Sequence, residues 1–251
     1  MADVDDLSGR TTIVVGASRG LGRGIATAFG AAGASVIALA RTATALAELA
    51  GDTCNIQPVV ADARDATVAS TLLDRYEPEA VILVAGASPL IGPLQHHTWE
   101  TFSVNWQTDV RIAFHWLREA LLKPLRPGSR VVVISSGAAL AGSPLSGGYA
   151  GAKATQRFIT AYAQDEAKRA GLDITFTAVL PRITPLSELG RPAVRAYAAR
   201  NGQSEEKYLQ RFGEPLTPEV AGAALVDLVR ADAATAAGGY LLTGAGLQNL
   251  P

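Results

Sequence analysis

Short apolar runs rich in β-branched residues alternate along this chain with alanine-rich stretches of helical periodicity. The runs are Thr12–Val15, Ser35–Ala40, Ile56–Val60, Val81–Ala85, Arg130–Ser135, Ile174–Leu180 and Tyr240–Gly244. They stay apolar at consecutive positions, which is typical of strands buried on both faces. Strands that alternate with helices predict an α/β fold, with a doubly wound parallel sheet of about seven strands flanked by helices.

Two long helices and one irregular segment stand out from this alternation. Thr98 is an expected N-cap for a helix that runs to about Leu122, and a second helix is predicted from Ser146 to Ala170. The stretch between Pro185 and Pro218 is polar and bounded by prolines. We interpret residues 184–215 as a substrate lid inserted into a single domain that spans 1–251, because no repeat or linker divides the chain.

Composition and charge exclude several classes of protein. Hydrophobic residues make up 48% of the chain, charged residues 18%, and the formal net charge is -1, so neither disorder nor a nucleic-acid partner is indicated. The N-terminus, MADVDDLSGR, is acidic and polar, unlike a signal peptide, and no apolar run is long enough to span a membrane. The single Cys54 can form neither an internal disulfide nor a zinc cluster. We expect a cytoplasmic protein without a metal site.

A glycine-rich turn follows the first predicted strand and opens the first predicted helix, which should run from about Gly20 to Ala32. It reads Val15-Gly16-Ala17-Ser18-Arg19-Gly20-Leu21-Gly22. Glycines at these positions permit a sharp turn and a close approach to a pyrophosphate, which the helix N-terminus would then face. A plain strand-to-helix turn is the alternative, but the position on the first βα unit favours a dinucleotide site.

The end of the second strand indicates which dinucleotide is bound. An acidic residue there would bind the ribose 2′-hydroxyl of NAD, whereas this strand ends Leu39-Ala40-Arg41. Arg41 and Arg19 together suit a 2′-phosphate and favour NADP(H) over the alternative that Arg41 is solvated. The third strand ends at Asp62, which could bind the adenine amino group, and Asp65 beyond it is an expected helix cap.

Tyr149 and Lys153 lie four residues apart in the second long helix and therefore share a face. An ammonium group beside a phenol favours the phenolate, and this pairing suits a general acid for a carbonyl oxygen. Ser136 follows the fifth strand, at the sheet edge where ligands of such folds bind. By spacing alone, a surface Tyr–Lys pair and a simple Ser-Ser-Gly turn are open alternatives.

Taken together, these motifs resemble the short-chain dehydrogenase/reductase family, whose fold is of the Rossmann type. The match includes the glycine turn, Asp62, Val104-Asn105, Ser136 and Tyr149-x-x-x-Lys153, in order and at suitable spacing over roughly residues 8 to 247. The joint pattern is far more specific than any single motif.

The resemblance implies a role for each matching residue. Tyr149 would protonate the carbonyl oxygen, Lys153 would bind the nicotinamide ribose, Ser136 would polarise the carbonyl, and Asn105 would anchor a water near Lys153. The resemblance also implies cofactor contacts from Ala85, Gly86, Pro181 and Thr184. We therefore predict an NADP(H)-dependent oxidoreductase that interconverts a ketone or aldehyde and its alcohol, assembled as a homodimer or homotetramer.

The sequence departs from the family pattern in three places. Leu83-Val84 precede Ala85-Gly86 where the family has two asparagines, so their hydrogen bonds must be replaced. Arg182 follows Pro181 where a glycine is usual. Its side chain would either bind a substrate anion or point outward into solvent. After the last predicted strand only Ala245 to Pro251 remain.

Two other functions remain open at this point. A non-catalytic NADP(H) sensor or scaffold could keep the fold, but it would not need both Tyr149 and Lys153. An epimerase or dehydratase could use the same tyrosine, but such relatives tend to have a larger C-terminal region. The cleft is expected between Ser88–Leu94, Gly137–Leu145 and the lid, and it is mostly apolar.

Overall fold

The computed structural model describes residues 7–232 and 238–250, which form one eight-stranded sheet with helices on both faces. The strands are β1 (Thr11–Val15), β2 (Ser35–Ala40), β3 (Ile56–Val60), β4 (Ala80–Leu83), β5 (Ser129–Ile134), β6 (Ile174–Pro181), β7 (Gly239–Thr243) and β8 (Gly246–Asn249). Their spatial order is β3-β2-β1-β4-β5-β6-β7-β8, and all neighbours are parallel except β7 and β8.

The helices follow the strands as the alternating pattern predicts. They are α1 (Gly20–Ala31), α2 (Ala43–Asp52), α3 (Ala66–Tyr76), α4 (Trp99–Asn105), α5 (Arg111–Leu122), α6 (Ala138–Ala141), α7 (Gly147–Arg169), α8 (Gly190–Arg200), α9 (Glu205–Gln210) and α10 (Pro218–Arg230). A 3₁₀ turn covers Leu94–His96, and a π-helical turn at Trp106–Val110 joins α4 to α5.

Successive residues of each central strand feed two separate hydrophobic cores, one on each face of the sheet. Val14 and Ile82 pack with residues of α1, α2 and α10. Ile13 and Val81 point the other way and pack with α3, α5 and α7, where Trp116 is 1% exposed. This period-two division of an apolar strand confirms the predicted doubly wound sheet.

The C-terminal end of the sheet differs from the prediction of about seven strands. Residues 246–249 form β8, an antiparallel edge strand, so the residues after β7 add an eighth strand to the sheet. Thr243 pairs with Gly246, which leaves a two-residue hairpin loop containing Gly244. Gly246, directly after this loop, has a φ of 95°, a left-handed conformation that favours glycine.

The long helix predicted from Thr98 to Leu122 is also not continuous. Thr98 does form the N-cap, in a capping box with Thr101, but the helix widens into the π-helical turn after Asn105. Such turns are rare and often occur at functional sites. The predicted cap at Asp65 is present, since its side chain accepts from the backbone N–H of Thr67 (2.9 Å).

The acidic start of the chain, on which the prediction about a signal peptide rests, lies largely outside the described residues, as does Pro251. Within the described ranges, no helix combines the length and apolarity needed to cross a membrane.

Candidate active site

The strand order reverses between β1 and β4, and a cleft of about 1300 Å³ opens at the carboxyl ends of these strands. Ligands of open α/β sheets bind at such a switch point. Residues from the glycine turn, the strand ends, α7 and the segment 184–215 line this cleft. The structure therefore brings the predicted site residues together, except Asn105, which is fully buried behind the wall.

The glycines of the first turn permit contacts that a side chain would block. A Cβ on Gly16, whose φ is 98°, would lie 2.6 Å from the backbone nitrogen of Ala85. A Cβ on Gly22 would lie 2.1 Å from the carbonyl oxygen of Gly16. Gly20 has a φ of 52° and open space beside it. The turn is therefore packed tightly against the loop after β4, while its outer edge stays accessible.

The N-terminus of α1 points into the same cleft with its first backbone N–H groups. Arg19 is the N-cap residue, and its side chain makes no capping hydrogen bond. Uncapped N–H groups and the helix dipole together favour a bound anion. Ser18 and Leu21 also line the cleft here, so the geometry suits the phosphates of a dinucleotide.

At the outer end of the cleft, Asp62 is paired with Arg64, which the sequence motifs did not predict as a site residue. Arg64 donates from Nη2 (2.6 Å) and Nε (3.0 Å) to Oδ2 of Asp62. These side-chain hydrogen bonds hold the pKa of Asp62 at about 2, even though partial burial opposes the charged form. The positive charge of Arg41 acts in the same direction. Asp62 thus lies within the field of two guanidinium groups.

Arg19 is engaged across the cleft mouth. Its guanidinium forms an ion pair with Glu188, which belongs to the segment 184–215, and both side chains are exposed. An exposed pair contributes little to stability. However, Glu188 would compete for Arg19 with an anion bound at the glycine turn.

Tyr149, Lys153 and Ser136 face the inner half of the cleft. Nζ of Lys153 lies 5.6 Å from the ring centre of Tyr149, on the same face of α7. Ser136 follows β5, and its Oγ accepts a hydrogen bond from the backbone N–H of Ala138 (3.2 Å). The Ser136 hydroxyl hydrogen therefore stays available to a ligand, and the phenol, ammonium and hydroxyl line one space.

Lys153 is a buried cation, with its side chain 6% exposed. Nζ donates to Oε1 of Gln156 (2.9 Å) and to the carbonyl oxygen of Ile134 (3.2 Å). Nζ also lies 3.1 Å from Oδ2 of Asp109. Burial alone lowers the pKa of Lys153, but the carboxylate of Asp109 and the neighbouring Tyr149 outweigh it and raise that pKa above its ordinary value.

The loop after β4 is braced from the π-helical turn. The backbone N–H of Ala87 donates to Oδ1 of Asp109 (2.8 Å), and Nδ2 of Asn105 donates to the carbonyl oxygen of Ala87 (2.7 Å). These bonds replace those expected to be lost through Leu83-Val84. Asn105 also approaches Oδ1 of Asp109 (3.3 Å). Asn105 therefore holds the loop after β4 in place from the adjoining end of α4.

The segment 184–215 contains α8 and α9 and is tied to the loop before α7 by hydroxyl groups. The hydroxyl of Tyr197 contacts Oγ of Ser143, and Oγ of Ser143 lies 2.6 Å from Oγ of Ser146. Thr184 is buried and donates its hydroxyl to the carbonyl oxygen of Leu216 (2.7 Å). Pro181 and Arg182 line the cleft beside this segment.

Sequence reasoning missed Asp109, Gln156, Arg64 and the hydroxyl cluster of Ser143, Ser146 and Tyr197. Two of these positions carried a local signal. Asp109 stands four residues after Asn105, and Gln156 stands three after Lys153, so each shares a helix face with a predicted site residue. Arg64 has its partner Asp62 two residues away, in a turn rather than on a shared helix face, whereas the partners of Tyr197 lie in a segment distant in sequence.

The sequence profile of the short chain dehydrogenase family matches residues 10–197, and the chain belongs to this family of oxidoreductases. The family uses NAD(P)(H). The matched part begins directly before β1, includes the glycine turn, Tyr149 and Lys153, and ends within α8.

Several characterised proteins resemble the chain at moderate identity. L-xylulose reductase of Homo sapiens is 32% identical over 42% of this chain and 43% of its own length. D-erythrulose reductase of Gallus gallus is 32% identical over 52% of this chain and 55% of its own length. The matches to these two reductases thus span about half of each protein. A short chain dehydrogenase of Pseudocercospora fijiensis is 29% identical over 86% of this chain and 72% of its own.

A solved structure supports the fold over nearly the whole chain. The dehydrogenase/reductase from Sinorhizobium meliloti 1021 superposes with a TM-score of 0.76 at 21% identity, covering 93% of each chain. At this identity the likeness shows the fold alone.

Proposed function

We propose that the chain is an NADP(H)-dependent reductase that converts a ketone or aldehyde to its alcohol, with Tyr149 as the general acid. The observation that carries this proposal is the buried ammonium of Lys153 beside the ring of Tyr149, at the cleft edge that Ser136 also faces. A structural Tyr–Lys pair on a helix surface would not keep its lysine buried beside a cleft.

The protein residues have complementary tasks in this proposal. The hydroxyl of Ser136 donates to the substrate carbonyl oxygen, while the phenol of Tyr149 transfers its proton to the same oxygen. The positive charge of Lys153 favours loss of that proton and stabilises the resulting phenolate. In the reverse direction, the phenolate removes the alcohol proton.

The residues of the cleft fit a dinucleotide of this kind. The uncapped N-terminus of α1 and the accessible edge at Gly20 suit the pyrophosphate, and Gly86, which lines the cleft, lets the loop after β4 lie close against Asp109. Asp62, Arg41 and Arg64 surround the expected adenosine end, where two arginines suit a 2′-phosphate. When bound, NADPH supplies the hydride for the carbonyl carbon.

The role proposed for Lys153 at the nicotinamide ribose requires a change of partners. An ammonium has three donors. In this structure Nζ donates to Gln156 and Ile134 and faces Asp109. To bind a ribose hydroxyl, Lys153 must share or release one of these groups. The contacts proposed for Pro181 and Thr184 are also with the nicotinamide end of the cofactor.

We propose a carbonyl compound with hydroxyl groups near the carbonyl as the substrate class to test first. Two relatives are named as reductases of L-xylulose and of D-erythrulose, which are hydroxyketones. The hydroxyl groups of Ser143, Ser146 and Tyr197 lie in the same cleft and can hydrogen-bond such a ligand. The segment 184–215 would act as the lid over it.

The decisive experiment follows NADPH oxidation, by loss of absorbance, with a panel of hydroxyketones and apolar ketones, for the unaltered protein and for Tyr149→Phe. We expect Tyr149→Phe to bind NADPH normally and to lose at least about a hundredfold in kcat, as for removal of a general acid. Tyr162→Phe, at an exposed position of α7, serves as the control.

Two results would contradict the proposal. Turnover retained by Tyr149→Phe would exclude this residue as the acid. NADPH binding without turnover on any carbonyl compound would instead favour a dinucleotide sensor that has kept the fold.

We also propose that the chain assembles with copies of itself. Phe114 on α5 and Phe158 and Tyr162 on α7 are 52%, 68% and 57% exposed, and these two helices pack side by side. Large apolar side chains grouped on one exposed face are typical of interaction surfaces.

A further inference from the structure

Asp109 lies at the meeting point of two parts of the site that the sequence treats as separate. Its Oδ1 accepts from the backbone N–H of Ala87 in the loop after β4, and its Oδ2 lies 3.1 Å from Nζ of Lys153 on α7. The residue is fully buried, in a π-helical turn. A buried carboxylate is costly unless it is paired, so its retention here calls for a role.

We propose that Asp109 is a positioning residue that keeps Lys153 charged at a fixed place and couples it to the cofactor loop at Gly86 and Ala87. The inference rests on the reductase function proposed above. Asp109 touches neither substrate nor reacting atoms in this role, since it acts through Lys153.

The contacts on both sides restrict the carboxylate to one orientation. A Cβ on Gly86 would lie 2.8 Å from Oδ2, so the loop can approach Asp109 closely only because residue 86 is glycine. Gln156 completes the cage: its Nε2 donates to the backbone carbonyl oxygen of Asp109 (2.9 Å) while its Oε1 accepts from Lys153. The π-helical turn thus presents both a carbonyl and a carboxylate to α7.

The charges around Lys153 show why a carboxylate matters there. From the π-helical turn it faces Asp109, from its own helix it faces the phenol of Tyr149 and the neutral amide of Gln156, and from β5 it faces the carbonyl of Ile134. Asp109 therefore balances the charge of a lysine whose side chain is 6% exposed. Without this balance, burial would favour the neutral amine.

Two substitutions separate charge from shape. Asp109→Asn keeps the shape and an acceptor for Ala87 but removes the charge, whereas Asp109→Glu keeps the charge and changes the shape. Removing this negative charge favours loss of a proton from Lys153, and the proposed reaction needs Lys153 in its charged form. We therefore expect the alkaline fall in the kcat of ketone reduction to move to lower pH by about one unit or more in Asp109→Asn. In Asp109→Glu it should stay in place, although kcat falls.

Urea unfolding of the cofactor-free protein provides a readout that does not depend on activity. In Asp109→Asn the buried Lys153 loses its counter-ion, so its pKa in the folded state should drop below that in the unfolded state. The unfolded state then binds more protons, and the stability of this variant should rise with pH from about 8 to 10. The unaltered protein should show no such rise.

The double variant Asp109→Asn/Lys153→Met covers the case in which the single variant does not fold. It leaves no unpaired buried charge, so it should recover much of the urea midpoint that Asp109→Asn loses.

The outcomes distinguish this inference from the proposed function. If every variant shows the same pH dependence, in kinetics and in unfolding, Asp109 is only a brace for the loop and the inference is wrong. If the unfolding results hold but no carbonyl compound is reduced, the ion pair stands and the reductase function fails.

Discussion

Arg64 holds the carboxylate of Asp62 through two nitrogen atoms, with Nη2 2.6 Å and Nε 3.0 Å from Oδ2, at the outer end of the cleft. The pair forms within one turn, because the backbone N–H of Arg64 also donates to Oδ1 of Asp62 (3.0 Å). Asp62 thus faces the cleft as a carboxylate that is already paired. An adenine amino group would have to share its oxygen atoms with Arg64.

The first prediction concerns the pH dependence of this pair. Hydrogen bonds from Arg64 lower the pKa of Asp62 to about 2, so the pair stabilises the folded state above the pKa of an unfolded aspartate, and this contribution is lost as the pH falls towards about 2. Since the Asp62 side chain is 37% exposed, we expect Asp62→Asn to cost less than about 1 kcal/mol at neutral pH.

Urea unfolding at several pH values measures this effect. The difference between the unaltered protein and Asp62→Asn should shrink below about pH 4. Arg64→Gln should show a similar loss, and the double variant no more than either, because one interaction is removed in each case. A loss that is the same at every pH would mean that the charge of Asp62 does not stabilise the fold.

The second prediction concerns cofactor choice. Arg41 and Arg64 both line the cleft, and both act on Asp62 electrostatically. If they bind the 2′-phosphate, Arg41→Ala and Arg64→Ala should each weaken NADPH by about tenfold to a hundredfold, the usual value of a charged hydrogen bond. NADH binding should change far less.

Fluorescence titration of bound nucleotide gives both dissociation constants. Arg169→Ala, at an exposed arginine on the last turn of α7, is the matched control. Equal weakening of NADPH and NADH by Arg41→Ala would refute the 2′-phosphate argument.

The elements and motifs that the sequence predicted correctly depend on local information. The alternation of apolar strands with helices, the cap at Asp65 and the glycine turn each follow from a few neighbouring residues. The ion pair between Asp109 and Lys153 joins different helices, and no local pattern encodes which buried groups will meet. The π-helical turn was not predicted for a related reason. It forms where tertiary contacts of Asn105 and Asp109 override the regular helix.

The third prediction concerns the segment 184–215. Tyr197 on α8 contacts Ser143, and its hydroxyl lies 3.4 Å from Oγ of Ser146, so Tyr197→Phe removes the bonds that tie α8 to the loop before α7. Losing about 1 kcal/mol of local stability should raise the opened fraction of this segment about fivefold. Global stability should change little.

Limited trypsin digestion measures this opening, since Arg195 and Arg200 lie on α8. We expect cleavage there to accelerate about fivefold in Tyr197→Phe, in line with the opened fraction. Tyr162→Phe removes an exposed tyrosine hydroxyl from α7 and should leave the rate unchanged. Equal cleavage in both variants would show that the hydroxyl cluster does not hold the segment.

The last prediction concerns self-association through the exposed face of α5 and α7. Phe158 is 68% exposed and lies 6.4 Å, centre to centre, from the ring of Tyr162. If this face is an interface between copies, a charge at its centre would be buried without a partner, at a cost sufficient to separate the subunits. Light scattering of Phe158→Glu should therefore give the mass of a single chain, 26.0 kDa, instead of the mass of an assembly.

Ala47→Glu is the control for this charge, because Ala47 is exposed on α2, which covers the opposite face of the sheet. It should keep the assembly of the unaltered protein. A mass of 26.0 kDa for the unaltered protein would contradict self-association outright. An assembly that survives Phe158→Glu would instead place the interface elsewhere, and the exposed rings on α5 and α7 would then need another partner.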